Sequence, residues 1–162
     1  MKGFILGVTS VLAVNFASAQ DQRPIRMIVP FSGGSASDVI TRILIERIST
    51  TTGQRFVMDN RPAAGGNLGT QLVAKATPDG YSFGMSASGP LAANKTLFKE
   101  MGYDPERDIQ PVSLFASLPN IVVVSARLPV QNINELIDYV KKTPGVPYGS
   151  VGNGSAARPA SS

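Results

Sequence analysis

Pro24-Ile25-Arg26-Met27-Ile28-Val29-Pro30-Phe31-Ser32-Gly33-Gly34-Ser35-Ala36-Ser37-Asp38-Val39-Ile40 is the stretch that decides the fold. Its first part is a short run of branched and apolar residues between two prolines, the pattern of a buried strand. Phe31 to Ser37 is a turn of small residues, and Asp38 opens a periodic segment. Val39, Ile40, Ile43, Leu44 and Ile48 recur at helical spacing until Gly53, which predicts one apolar helix face. The order is therefore strand, small-residue turn, helix.

The same order repeats downstream. Arg55–Met58 reads as a second strand, and Asn60-Arg61-Pro62-Ala63-Ala64-Gly65-Gly66-Asn67 as a glycine-rich turn. A helix with Leu68, Leu72, Val73 and Ala76 on its apolar side follows. Thr77-Pro78-Asp79-Gly80 turns the chain, and Tyr81–Ser86 alternates as a third strand with Tyr81, Phe83 and Met85 on one side. Repeated strand–helix units predict an α/β fold with a parallel sheet covered by helices. Ligands of such sheets lie beyond the carboxyl ends of the strands, so the turns at 31–38, 60–67 and 86–90 are candidates for that edge.

Farther along, Pro90–Lys99 reads as a short helix, and Val112–Ala116 and Ile121–Ser125 as two more strands. Asn132-Ile133-Asn134-Glu135 has the cap-x-x-Glu form of a helix start, with Ile133, Leu136, Ile137 and Val140 as the expected buried stripe. Val146–Val151 reads as a last strand, before Gly152-Asn153-Gly154-Ser155.

The N-terminus has the three parts of a cleavable export signal over residues 1–19. Lys2 supplies the positive start, Phe4 to Phe16 a mostly apolar run, and Ala17-Ser18-Ala19 the small-x-small pattern before Gln20. A membrane anchor needs about twenty continuous apolar residues, and this run is shorter. The expected location is the periplasm. Over the whole chain the formal charge is +4, with the basic residues scattered, and no basic stripe interleaved with aromatics marks a nucleic-acid partner. The chain has no cysteine and no histidine. Disulfides and cysteine-based zinc sites are thereby excluded, as are the commonest general base and neutral metal ligand. No cofactor is expected.

Three motifs carry chemistry. A small-residue turn between strand and helix leaves backbone N–H groups at the positive end of the helix dipole, where a carboxylate or phosphate fits. The plain alternative is a tight turn capped by Ser35 or Ser37, with Asp38 stabilised in the first helical turn by the dipole. Gly84-Met85-Ser86-Ala87-Ser88 resembles a nucleophile elbow, but its last glycine is replaced and no histidine exists to activate Ser86. Its serines are read instead as hydroxyl donors to a ligand or as turn residues. Gly152-Asn153-Gly154-Ser155-Ala156-Ala157 fits a loose dinucleotide pattern. Pro159 follows at once, however, and no acid lies about twenty residues on.

Taken in order, these turns resemble those of the Bug-type extracytoplasmic solute-binding proteins of tripartite tricarboxylate transporters. The matching segments are Pro24 to Phe31 with the loop to Asp38, Asn60 to Asn67, Pro78-Asp79-Gly80-Tyr81, Tyr103-Asp104-Pro105, Pro111-Val112-Ser113-Leu114 and Tyr148 to Ser155. The resemblance implies a two-lobed, type II periplasmic-binding-protein-like α/β fold that closes on a small organic acid, and no enzymatic activity. It implies that Phe31, Ser32, Gly33, Gly34, Ser35 and Asp38 form the first wall of the site. Ser86, Ala87 and Ser88 would line the second wall, while Ser150, Gly152, Asn153 and Ser155 would start the opposing lobe. The implied partners are a small di- or tricarboxylate and the membrane components of such a transporter or a sensor kinase.

The resemblance stops at Ala156, since Arg158-Pro159-Ala160-Ser161-Ser162 does not form the helix it would require. The expectation is an incomplete parallel-sheet lobe with the start of a second. Residues 1–19 are the signal, 20–110 the N-terminal part of lobe one, 111–125 crossover strands, and 126–162 the start of a truncated lobe two. Two rival readings stand beside the receptor. One is a serine-dependent hydrolase without a histidine base; the other is a fragment that has lost binding, because one wall holds a small acid weakly against its lost freedom.

Overall fold

The computed structural model describes residues 23–150 and 152–155. The signal-like segment and Val151 lie outside them, as does the stretch after Ser155. Three parallel strands form the sheet: β1 (Ile25–Val29), β2 (Phe56–Asn60) and β3 (Ser82–Gly84), in the order β2-β1-β3. Met27 stands beside Met58 on one side and Phe83 on the other. The central strand is the one with no free edge, and Ile28 and Val29 are fully buried there. The prolines at 24 and 30 bracket β1, where no ladder amide is required of them.

Helix α1 (Ala36–Thr52) joins β1 to β2, and α2 (Asn67–Ala74) joins β2 to β3. Such crossovers are right-handed, and because these two run in opposite directions across β1 they place α1 and α2 on opposite faces of the sheet. Ser35 caps α1, its Oγ accepting from the Asp38 amide at 3.3 Å. Gly53 ends it in the left-handed region at φ 73°, donating its amide to Ser49 O. After β3 come a π-type turn (Gly89–Ala93) and the short α3 (Asn94–Leu97). Helix α4 (Ile133–Lys142) begins at Asn132, whose side chain accepts from Glu135 N at 3.0 Å. Lys141 and Lys142 sit in its last turn, where the helix dipole favours cations.

The strand–turn–helix repeats are where the sequence placed them, but several faces are not. On α1 the inward residues are Asp38, Thr41 and Ile45, while Val39 is exposed and Ile43 is 63% exposed. Asp38 is turned inward by hydrogen bonds to Gly34 and Asn60, and this sets the rotational phase of the helix. On α2 the buried residues are Asn67, Gly69 and Thr70, and Leu68 faces out. A Cβ at Gly69 would lie 2.6 Å from Pro30 Cα, so α2 meets β1 through the one face that carries no large side chain.

The strands expected at Val112–Ala116, Ile121–Ser125 and Val146–Val151 do not form among the described residues. These stretches are rich in β-branched residues, yet β-propensity reflects packing on a pleated surface more than backbone preference. No neighbouring strand offers a ladder here, and Val123 stays 82% exposed. The stripe of α4 is likewise uncovered, with Ile133, Ile137 and Val140 all exposed. Its cap and periodicity make a helix; the surface it would bury against is absent from the described residues.

Candidate functional site

Because all three strands are parallel, their carboxyl ends share one edge, and the turns after β1, β2 and β3 converge on it. The order β2-β1-β3 sends the chain from β1 toward one side of the sheet and from β2 back across to the other. The crevice this leaves lies between the ends of β1 and β3, the topological switch point at which open α/β sheets bind ligands. Phe31–Ser35 and Ser86–Ser88 occupy those two ends.

The loop after β1 is held from beneath. Asp38 is 2% exposed, and both of its oxygens are engaged. Oδ2 accepts from Gly34 N at 2.8 Å and from Arg42 Nε at 3.0 Å, and Oδ1 accepts from Asn60 Nδ2 at 3.0 Å. The Arg42 hydrogen bond, then that of Gly34, then that of Asn60 lower the Asp38 pKa to about 2, against a smaller opposing effect of burial. Asn60 Nδ2 also donates to Phe31 O at 3.1 Å. Asp38 is thus a clamp between loop, helix and second strand, with its charge already satisfied. Above it, the amides of Ser32 and Gly33 have no partner among the described residues. Those N–H groups stand near the start of a 17-residue helix, in an electropositive position.

The turn after β2 supplies the floor. Ala64, Gly65 and Gly66 all have positive φ, at 47°, 64° and 98°. Gly66 admits no side chain: a Cβ would sit 2.8 Å from Pro90 Cγ and 3.3 Å from the Phe31 ring. The Phe31 ring thus lies close against the Gly66 backbone. Arg61 donates its amide to Val29 O and, through Nε, reaches Asp59 at 2.7 Å. Arg26 meets the same carboxylate; burial raises the Asp59 pKa, and the hydrogen bonds and charges of Arg26 and Arg61 together lower it below the ordinary value.

After β3, the Ser86 side chain turns toward α2, with its Oγ 2.9 Å from Thr70 Oγ1. Ser86 and Ala87 are half-buried and Ser88 is exposed. Next to them is a polar pair that sequence reasoning missed: Asn94, fully buried, donates Nδ2 to Asn67 Oδ1 at 2.6 Å. Nothing in the sequence marked it, since Asn67 closes a glycine-rich turn and Asn94 lies inside the expected Pro90–Lys99 helix. Among the described residues Asn94 Oδ1 is a buried side-chain oxygen with no hydrogen-bond partner.

The turn Gly152–Ser155, expected on an opposing lobe, packs against this first one. A Cβ at Gly154 would lie 2.3 Å from Asn94 Oδ1, and one at Gly89 would lie 2.0 Å from Gly154 O. Ser155 is buried, with its Oγ donating to Gly152 O at 2.7 Å. The physical reason is steric: glycines at 65, 89 and 154 let backbones meet that side chains would separate. Ser150 is exposed and makes one local contact, accepting from Gly152 N. A separate hollow of about 150 Å³ is lined by Lys95, Lys99, Phe98, Met101, Tyr103, Asp104 and Pro105. Its Lys95 is paired with Asp104 and Glu106.

No group of three metal-ligating side chains occurs among the described residues, and none of their helices is long and apolar enough to cross a membrane. Residues 40–160 match the family described as "Tripartite tricarboxylate transporter family receptor". The chain is 37% identical over 152 residues to a UPF0065 protein of Bordetella bronchiseptica, covering 91% of this chain and 45% of that protein. It is 35% identical over 144 residues to protein BugT of Bordetella pertussis, covering 88% and 44%. It therefore spans about half the length of the curated relatives it matches.

Among solved structures, the R. palustris protein Rpa4515 with adipate matches at 38% identity and a TM-score of 0.72, over 77% of this chain and 42% of that one. MatC from Rhodopseudomonas palustris with bound malate matches at 30% identity and a TM-score of 0.68, over 73% and 40%. The periplasmic binding protein BugD matches at 36% identity and a TM-score of 0.64, over 75% of this chain and 40% of that one, and the matched family is one of receptors rather than enzymes. The chain belongs to the tripartite tricarboxylate transporter receptor family, with the α/β fold of the periplasmic binding proteins.

Proposed function

We propose that the chain forms the sheet-edge wall of an extracytoplasmic receptor for a small organic acid, serving carboxylate uptake or sensing. The observation that carries this reading is the convergence of the Phe31–Ser35 and Ser86–Ser88 turns at the β1/β3 switch point, above a clamp that already neutralises Asp38. The ligand carboxylate sits against the amides of Ser32 and Gly33, and the turn at Gly152–Ser155 closes the crevice from the side of Gly89. In this reading residues 20–110 form the first lobe, 111–125 cross between lobes and 126–162 begin the second. Residues 1–19 direct export to the periplasm, and the transporter's membrane subunits or a sensor kinase receive the loaded receptor. Related proteins with adipate and malate support a dicarboxylate as the ligand class.

The test is a thermal-shift and calorimetric screen of the chain against di- and tricarboxylates, run beside an activated-ester assay. A ligand at a hundredfold excess over its Kd stabilises the folded state by about 2.7 kcal/mol, which a melt resolves easily. Stabilisation by at least one acid without ester turnover is expected. Turnover abolished by Ser86→Ala, or no response to any acid, overturns the proposal.

A further inference from the structure

We infer that Ser86 faces the crevice as a hydrogen-bond acceptor, so that the site favours an acid that also carries a hydroxyl donor. The inference rests on the receptor reading above and specifies which ligand that receptor prefers.

The argument is one of proton accounting. The Thr70 hydroxyl is 1% exposed and has a single proton. It donates that proton to Gly66 O at 3.0 Å, the carbonyl four residues back along the start of α2. The Tyr103 hydroxyl, packed against the same turn, donates to Pro90 O at 2.8 Å and so offers Thr70 no proton. With the Thr70 proton directed to Gly66 O, the 2.9 Å contact between Thr70 Oγ1 and Ser86 Oγ is satisfied when Ser86 donates.

Ser86 then has no proton left for the crevice. Its oxygen presents lone pairs alone, at the carboxyl end of β3 opposite the Phe31–Ser35 loop. A carboxylate oxygen placed there meets another acceptor and is repelled. An O–H on the ligand's carbon chain is instead satisfied, while its carboxylate takes the amides of the facing loop. Thr70 acts through Ser86 as a positioning residue that sets the polarity of the site.

Malate and succinate separate these cases, since they share a four-carbon dicarboxylate and differ by one hydroxyl. Calorimetry on the chain should show malate binding about tenfold tighter than succinate, the value of one well-placed hydrogen bond. Thr70→Val removes the acceptor and frees the Ser86 proton, so the preference should collapse toward unity, and Thr70→Ser should restore it. Ser86→Ala should weaken malate more than succinate, which covers the case of Thr70→Val failing to fold. Equal binding of the two acids by the unaltered chain overturns the inference while leaving the receptor reading intact. A preference that survives Thr70→Val or Ser86→Ala overturns it as well. Failure of the chain to bind any acid overturns the receptor reading, and this inference with it.

Discussion

Asn60 Nδ2 donates to Asp38 Oδ1 at 3.0 Å, joining the end of β2 to the first turn of α1 across 22 residues of sequence. The same amide group reaches Phe31 O, so one side chain ties together the helix start, the second strand and the loop after β1. This link explains why an acid of the first helical turn is buried when helix-start acids are usually solvated.

The clamp should be visible in acid. The Asp38 pKa is lowered to about 2 from its ordinary 3.8, so its contribution is complete above the unfolded value and lost as pH falls through the folded one. Denaturant midpoints measured between about pH 5 and pH 2 should drop in the lower half of that range. Asp38→Asn should lower the midpoint at neutral pH and flatten this acid limb. Parallel curves for the two proteins would show that Asp38 does not clamp the loop.

Ala64 is the one non-glycine residue with positive φ among those described, at 47°. A left-handed conformation costs an alanine about 1 kcal/mol that glycine does not incur. Ala64→Gly should therefore stabilise the chain by up to about 1 kcal/mol, against the usual direction of that substitution. A lower melting temperature would contradict the strain.

Gly154 has φ 78°, and a Cβ there would fall 2.3 Å from Asn94 Oδ1. Gly154→Ala should lift the Gly152–Ser155 turn off Asn94 and leave the sheet unchanged. Hydrogen exchange at the Ser155 amide, bonded to Gly152 O at 3.2 Å, should accelerate while the amides of β1 keep their protection. Unchanged exchange at Ser155 would mean that the turn docks without this close approach.

Ile28 and Ile137 are the same residue in opposite situations, the first fully buried in the central strand and the second exposed on α4. Ile28→Ala should cost about 2–5 kcal/mol, the range for a cavity in a packed core. Ile137→Glu should alter stability by about 0.5 kcal/mol or less and reduce self-association in light scattering, because it breaks an apolar stripe open to solvent. Equal costs for the two would place α4 in a core that the structure does not show.

Much of the candidate site was legible in the order of residues alone. Glycines, serines and prolines at strand ends marked the three turns, and their local chemistry fixes conformation whatever lies around them. The Asn67–Asn94 pair was hidden because nothing local distinguishes a buried amide pair from solvated asparagines of a turn and a helix. The contact of the Ser86 hydroxyl was hidden for a similar reason, since it depends on Thr70 and Gly66 being brought to it by α2 and the turn before that helix.

Element type and order followed from the sequence alone wherever a turn signal and a periodic run stood side by side. The α/β class, the shared edge of the three turns and the absence of histidine were all readable at that level. Tertiary structure decided which face of each helix turns inward, as Asp38 on α1 and Gly69 on α2 demonstrate. It also decided that Val112–Ala116 and Ile121–Ser125 carry no ladder. The physical reason is common to both: a helix phase or a strand is completed by partners distant in sequence, and periodicity records the pattern of a surface without recording what meets it.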